Sequence, residues 1–220
     1  MIDFAAARRM MVDGQVRTAD VTDLRLIAAM SELPRERFVP QSKAELSYLD
    51  LDLPAGEGAG GGVRCLLKPM VLAKLIQLAE IAETDHVLDA GCATGYSSAL
   101  VAQLAGSVVA LEEDPALARV AERTLAEFPN VKVAVGPLLQ GWPIAGPYDA
   151  ILMQGATEIV PDMLLRQLKD GGRLVCVFGP GPQRKAMLYR KADGEVSGRP
   201  MFDAAAPLLP GFKQAPTFVF

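Results

Sequence analysis

Hydrophobic and polar positions change rhythm along this chain near residue 69. Before that point, residues 3–15 and 20–32 carry apolar side chains at helical spacing. In the second stretch Leu24, Ile27, Ala28 and Leu33 recur, Asp20 or Thr22 can cap the start, and Pro34 stops the helix. Residues 34–55 have no regular period. Residues 56–62 (GEGAGGG) hold five glycines in seven, which predicts a loop or a tight backbone passage.

From Pro69 the pattern becomes regular. Pro69 opens a helix to about Ala82, with Val71, Leu72, Leu75, Ile76 and Leu78 apolar. Short apolar runs at His86–Ala90, Ser107–Leu111, Val131–Val135, Tyr148–Met153 and Arg173–Phe178 predict buried strands. Between them lie helical stretches from about Tyr96 to Ala105, Asp114 to Glu127 and Val160 to Lys169. Ala186–Lys191 and the Asp193-Gly194 turn predict a late antiparallel hairpin. Continuous apolar strands alternating with helices mean an α/β fold, its parallel sheet covered on both faces. Such sheets bind ligands at the carboxyl ends of their strands, so the first strand-to-helix turn is the first place to look.

Composition narrows the classes. The 220 residues carry 22 Lys+Arg against 26 Asp+Glu, a net charge of −4, with no basic stripe. That argues against a dedicated nucleic-acid binder. Cys65, Cys92 and Cys176 show no CxxC spacing, which suits a reducing cytoplasm better than a disulfide framework, and a single histidine, His86, makes a zinc site improbable. The N-terminus lacks the apolar core of a secretory signal. Residues 90–111 carry no formal charge, yet Gly91, Thr94, Gly95, Ser97, Ser98, Gln103, Gly106 and Ser107 interrupt them at strand-turn-helix-turn positions. A buried α/β unit, not a membrane span, is the reading.

The first turn reads Val87-Leu88-Asp89-Ala90-Gly91-Cys92-Ala93-Thr94-Gly95-Tyr96. Gly91 and Gly95 permit unusual backbone angles and close approach of a ligand. The helix after Gly95 offers unpaired N–H groups to an anionic group. Asp89 can accept hydrogen bonds from an ammonium or from loop donors. The next strand ends in Glu112, 23 residues on, where a carboxylate can take both ribose hydroxyls; Glu113 takes its place if the strand ends one residue later. A dinucleotide site wants G-x-G-x-x-G, and Tyr96 stands where its third glycine belongs. The pattern Asp-x-Gly-x-x-x-Gly suits S-adenosylmethionine instead, which has an ammonium, a carboxylate and a ribose and no pyrophosphate. A nicotinamide-dependent oxidoreductase and a plain turn with no ligand are the alternatives.

Here the chain resembles the protein-L-isoaspartate O-methyltransferase family, a branch of the class I methyltransferases. The resemblance rests on MVDGQVR at 11–17, LPRERFVP at 33–40, VLDAGCATGYSSALVA at 87–102, GWP at 141–143, YDAILMQGA at 148–156 and VPDMLLRQLKDGGRLVCVFG at 160–179. PLLPGF, residues 207–212, looks like the family's final strand region. The resemblance implies a doubly wound, mostly parallel seven-stranded sheet. Residues 1–68 would form an N-terminal helical cap with a substrate-side loop, and residues 69–220 the methyltransferase core. It implies methyl transfer from S-adenosylmethionine to a carboxylate of isoaspartyl protein or peptide, with S-adenosylhomocysteine as product, in the cytoplasm, with no metal, nucleic acid or membrane involved. Carried over by position, Asp89, Gly91 and Gly95, with Cys92 and Ala93 between the glycines, would hold the methionine part of the donor. Glu112 would bind the ribose, and Pro137 and Leu138 would flank the adenine.

The departures concern both substrates. The family's Gly-Asp-Gly at the adenine loop is Gly136-Pro137-Leu138 here, and the middle glycine of the donor loop is Ala93. Where the family has Thr-x-Ser-x-Pro, with hydroxyls that bind the acceptor carboxylate, this chain has Cys65-Leu66-Leu67-Lys68-Pro69. Arg64 and Lys68, around Leu67, are the candidates to pair with that carboxylate; otherwise they are solvated charges. A non-catalytic donor-binding module, or a carboxyl methyltransferase with another acceptor, is the alternative. His86 reads as a packed edge residue, Trp142 as a packing anchor, and Met10, Met11 and Met30 as cap packing. Cys65 is a reactive thiol only if Arg64 or Lys68 lowers its pKa.

Overall fold

The computed structural model describes residues 2–57, 63–181 and 183–215. Helix α1 (Phe4–Met11) passes into a π-helical turn at Val12–Val16, so the helix expected over 3–15 is cut short. Helix α2 (Leu24–Glu32) is capped by Asp23, whose carboxylate accepts from the Arg25 and Leu26 amides, and not by Asp20 or Thr22. Its buried stripe is Leu26, Ile27, Ala29 and Met30; Leu24 and Ala28 face outward. Several faces of this segment are apolar, and contact with the core selects among them. Met11 and Met30 are buried as expected, whereas Met10 is exposed.

Strands β1 (Leu53–Glu57) and β2 (Val63–Leu66) pair antiparallel, with a register shift between Pro54 and Gly56. No strand was foreseen there. Pro54 and Gly56 disfavour a strand locally, and the cross-strand pairing supplies what the local sequence lacks. Most of the glycine-rich run, residues 58–62, lies outside the described residues.

Helix α3 (Pro69–Leu78) leads to β3 (His86–Ala90), α4 (Tyr96–Ala102), β4 (Ser107–Glu112), α5 (Pro115–Thr124) and β5 (Val131–Val135). Asp114 caps α5 through the Ala116 and Leu117 amides, with Pro115 in the first turn. Then come β6 (Tyr148–Thr157), α6 (Asp162–Leu165), β7 (Leu168–Phe178), β8 (Lys185–Ala192) and β9 (Glu195–Asp203). The helix expected over 160–169 shrinks to one turn because the Tyr148 amide bonds the Gln167 carbonyl and Leu168 pairs with Tyr148. PLLPGF forms a single parallel bridge, Ala156 to Leu208, and no strand.

The seven-stranded sheet has the order β5-β4-β3-β6-β7-β8-β9. Strands β3 to β7 run parallel, and β8 and β9 join by antiparallel pairing. The chain steps outward from β3 to β5, then crosses back to β6 on the other side of β3. The carboxyl end of β3 is therefore the switch point at which such sheets bind ligands. One apolar cluster joins Met11, Val16 and Leu26 of the N-terminal helices to Leu66, Leu72, Val87, Tyr96 and Val175. A second fills the opposite face around Leu88, Tyr148, Ile151 and Phe212.

Candidate active site

Asp89, next to last in β3, is fully buried, and so is Glu112, the last residue of the neighbouring β4. The turn between β3 and α4 needs its glycines. Gly91 has φ +86° and Gly95 has φ +96°, and a Cβ on Gly91 would collide with Nη2 of Arg64. Ala93 also lies in the left-handed region, at φ +52°, a conformation that costs an alanine about 1–2 kcal/mol. The loop is held by the Gly91 and Cys92 amides, which donate to the Leu111 carbonyl.

The two carboxylates are already engaged by protein groups. Asp89 Oδ2 accepts from the hydroxyls of Ser97 and Ser98, and Oδ1 accepts from Gln154 Nε2 at 2.6 Å. Burial raises the Asp89 pKa, partly offset by these three donors. Glu112 Oε2 accepts from the Ala93 amide at 2.8 Å, and Oε1 from the Glu113 and Asp114 amides at 2.9 and 3.2 Å. The Arg64 guanidinium completes this shell, with Nε at 3.3 Å from Oε1 and Nη2 at 3.2 Å from Oε2. Nη2 also donates to the Gly91 carbonyl at 2.8 Å. Arg64 is only 4% exposed, so it is no solvated charge, and it faces the donor loop rather than open solvent.

A linkage prediction follows for Asp89. Its folded pKa is above the unfolded value, so the stability tied to its protonated form is full below the usual carboxylate range. It is lost as pH rises through the raised folded value. Asp89→Asn removes that loss. In urea unfolding, the wild type should fare worse relative to Asp89→Asn at about pH 7.5 than at about pH 4.5. A difference independent of pH would contradict this.

The segment expected to face the acceptor, residues 65–68, is largely apolar. Leu66 and Leu67 are buried and Cys65 and Lys68 half-buried. Burial raises the Cys65 pKa, with Asp52 adding to the rise against the pull of Arg64, so the thiol is not activated. The Lys68 amide donates to Asp52 Oδ1. Arg35, fully buried, bonds the Ser47 and Leu67 carbonyls at 2.8 Å each, and its guanidinium lies over the Tyr96 ring at 4.6 Å. Between this segment and the donor loop lies a cavity of about 10 Å³, lined by Leu67, Gly91, Tyr96 and Gln154 among others.

Leu138 is buried, and its amide donates to Glu113 Oε2; Pro137 is exposed. Trp142 packs so closely on Gly136 that a Cβ there would meet its ring at 2.9 Å. His86 stacks on Tyr148, and its ring nitrogens meet Ser107 Oγ and the Ala145 carbonyl, a structural role. Gln154, Ser97, Ser98 and Arg35 escaped the sequence reading. Gln154 alone left a signal, as the one amide in the apolar run of β6. Among the described residues no group of three or more His, Cys, Asp or Glu side chains could hold a metal ion, and no helix is long and apolar enough to cross a membrane.

The switch-point sheet, the glycine turn after β3 and the buried carboxylates at the carboxyl ends of β3 and β4 define a Rossmann-like methyltransferase fold. The profile of the protein-L-isoaspartate(D-aspartate) O-methyltransferase family matches residues 7–205. A protein-L-isoaspartate O-methyltransferase from Methanoculleus marisnigri is 37% identical over 196 residues, covering 88% of this chain and 87% of its own. One from Rhodopseudomonas palustris is 36% identical over 211 residues, 94% of this chain and 84% of its own. Among solved structures, a protein-L-isoaspartate O-methyltransferase superposes with TM-score 0.79 at 24% identity, over 93% of this chain and 66% of that one. A putative enzyme of this kind from Plasmodium falciparum, in complex with S-adenosyl-L-homocysteine, gives 0.76 at 17% identity, over 92% of this chain and 97% of its own. The chain belongs to the protein-L-isoaspartate(D-aspartate) O-methyltransferase family.

Proposed function

We propose that this protein transfers a methyl group from S-adenosylmethionine to the carboxylate of isoaspartyl residues in damaged proteins or peptides. The observation that carries the reading is the placing of Asp89, the Gly91–Gly95 turn and Glu112 together at the switch point, in a chain of this family. Asp89 and the glycine turn would hold the amino-acid part of the donor, and Glu112 its ribose. When bound, the donor supplies an electrophilic methyl on a sulfonium. The acceptor carboxylate is ionised at neutral pH and needs no strong base. What the chain must contribute is position and exclusion of water. Leu66, Leu67 and Tyr96 supply the apolar wall, and Arg35 fixes the Leu67 carbonyl and with it the acceptor segment.

One structural feature favours a second reading, a donor-binding module without transfer. The segment 65–67 has no hydroxyl to aim a carboxylate, and a lost positioning donor costs about 2.7–4 kcal/mol in oxyanion-type sites. One experiment separates the two. Purified protein is incubated with methyl-labelled S-adenosylmethionine and an isoaspartyl peptide, beside an active family member. Base-labile methyl ester, trapped as methanol, is the expected product. Background label with an active control, together with S-adenosylhomocysteine binding by calorimetry, would replace transfer with binding alone.

A further inference from the structure

Arg64 stands where the proposed donor must enter. Glu112 has room for about four hydrogen bonds on its two oxygens. Three come from backbone amides of the loops that carry it, Ala93, Glu113 and Asp114, and these are built into the fold. The Nε and Nη2 of Arg64 add two more contacts and fill the carboxylate. A ribose presents two vicinal hydroxyls, also two donors on one side, so guanidinium and ribose are alternative partners for the same carboxylate face.

The pair is also suited to exchange. Its distances, 3.2 and 3.3 Å, are longer than the roughly 2.7–2.9 Å of a tight charge-assisted bond. Arg64 sits on β2, which among the described residues pairs only with β1, in a two-stranded sheet of their own. That hairpin lies against α5, where a Cβ on Gly56 would meet Leu117 at 2.9 Å. Its partner strand is paired to it with a register shift, so the unit can move without breaking the seven-stranded sheet.

We infer that Arg64 is an internal competitor of the methyl donor: its guanidinium holds the ribose-binding carboxylate of Glu112, and the donor binds only when β2 releases that pair. The inference rests on the donor reading above. The apparent dissociation constant for the donor is then its intrinsic value divided by the fraction of molecules with Arg64 withdrawn.

The test is calorimetry with S-adenosylhomocysteine on the full chain and on Arg64→Met and Arg64→Lys. Hydrogen exchange of residues 63–66 is followed in each protein with and without the ligand. Arg64→Met should bind at least about tenfold more tightly than the wild type, with Arg64→Lys between them. In the wild type, saturating ligand should speed exchange in β2, the reverse of the protection a ligand usually confers. Equal or weaker binding by a folded Arg64→Met, or β2 slowed by ligand in the wild type, overturns the competitor and leaves the donor reading standing. No binding by any of the three proteins removes the donor reading itself. Should Arg64→Met fail to fold, the wild-type exchange and Arg64→Lys decide alone.

Discussion

Replacing Glu112 by alanine should lower the unfolding free energy by about 3–5 kcal/mol, the usual cost of removing one partner of a buried ion pair. Arg64, 4% exposed, would keep its bond to the Gly91 carbonyl but lose the charge that balances its own. The Ala93, Glu113 and Asp114 amides would lose the acceptor they share. For a chain of this size the melting point should fall by roughly 10 °C. A double variant, Glu112→Ala with Arg64→Met, should recover the part of that loss due to the unpaired guanidinium, because a buried pair exchanged for apolar groups is often near neutral, while the three amides stay without Glu112. Urea unfolding of the four proteins gives the coupling, expected at about 1–3 kcal/mol. Strictly additive losses would mean that the two side chains do not stabilise each other.

The second large effect lies at the far end of α3. Arg173 of β7, 8% exposed, donates from Nη2 to the Glu80 carbonyl at 2.7 Å and to Asp85, from Nε to the Ala79 carbonyl, and from Nη1 to the Asp149 carbonyl at 3.0 Å. One guanidinium thereby satisfies the carbonyls of Ala79 and Glu80, the cap of α3 and the residue after it, and ties the end of that helix to the sheet. Arg173→Met should cost about 3 kcal/mol, since Asp85, also buried, loses its ion-pair partner. Hydrogen exchange should quicken at the C-terminal turn of α3, while affinity for S-adenosylhomocysteine stays within about twofold, the ion pair lying at the opposite end of β3 from the glycine turn. A loss below about 1 kcal/mol would show that water replaces the guanidinium without penalty.

The sequence was legible where the signal is local. The strands His86–Ala90 and Val131–Val135 lie within the bounds their apolar runs mark; the first is buried as expected, whereas the second, at the sheet edge, leaves Lys132 and Val135 exposed and buries only Ala134. The glycine turn was legible too: Gly91 and Gly95 stand at positive φ, where almost no other residue is at ease. Asp89 and Glu112 follow from that turn, being at the carboxyl ends of adjacent parallel strands.

Where two distant segments decide together, the sequence by itself was insufficient. The helix expected through Lys169 yields at Leu168 to a pairing with Tyr148, twenty residues earlier. Strand β1 exists because β2 pairs with it, against the preferences of Pro54 and Gly56. Arg35 and Arg64 are charged residues that composition assigns to the surface, yet both are buried. Burial of a charge depends on whether carbonyls and carboxylates from elsewhere in the chain converge on it, and no local pattern carries that information. The amino-acid sequence determined the class of fold, the glycine turn after β3 and the family. Only the tertiary structure set an arginine on the Glu112 carboxylate, because that contact joins residues 48 positions apart.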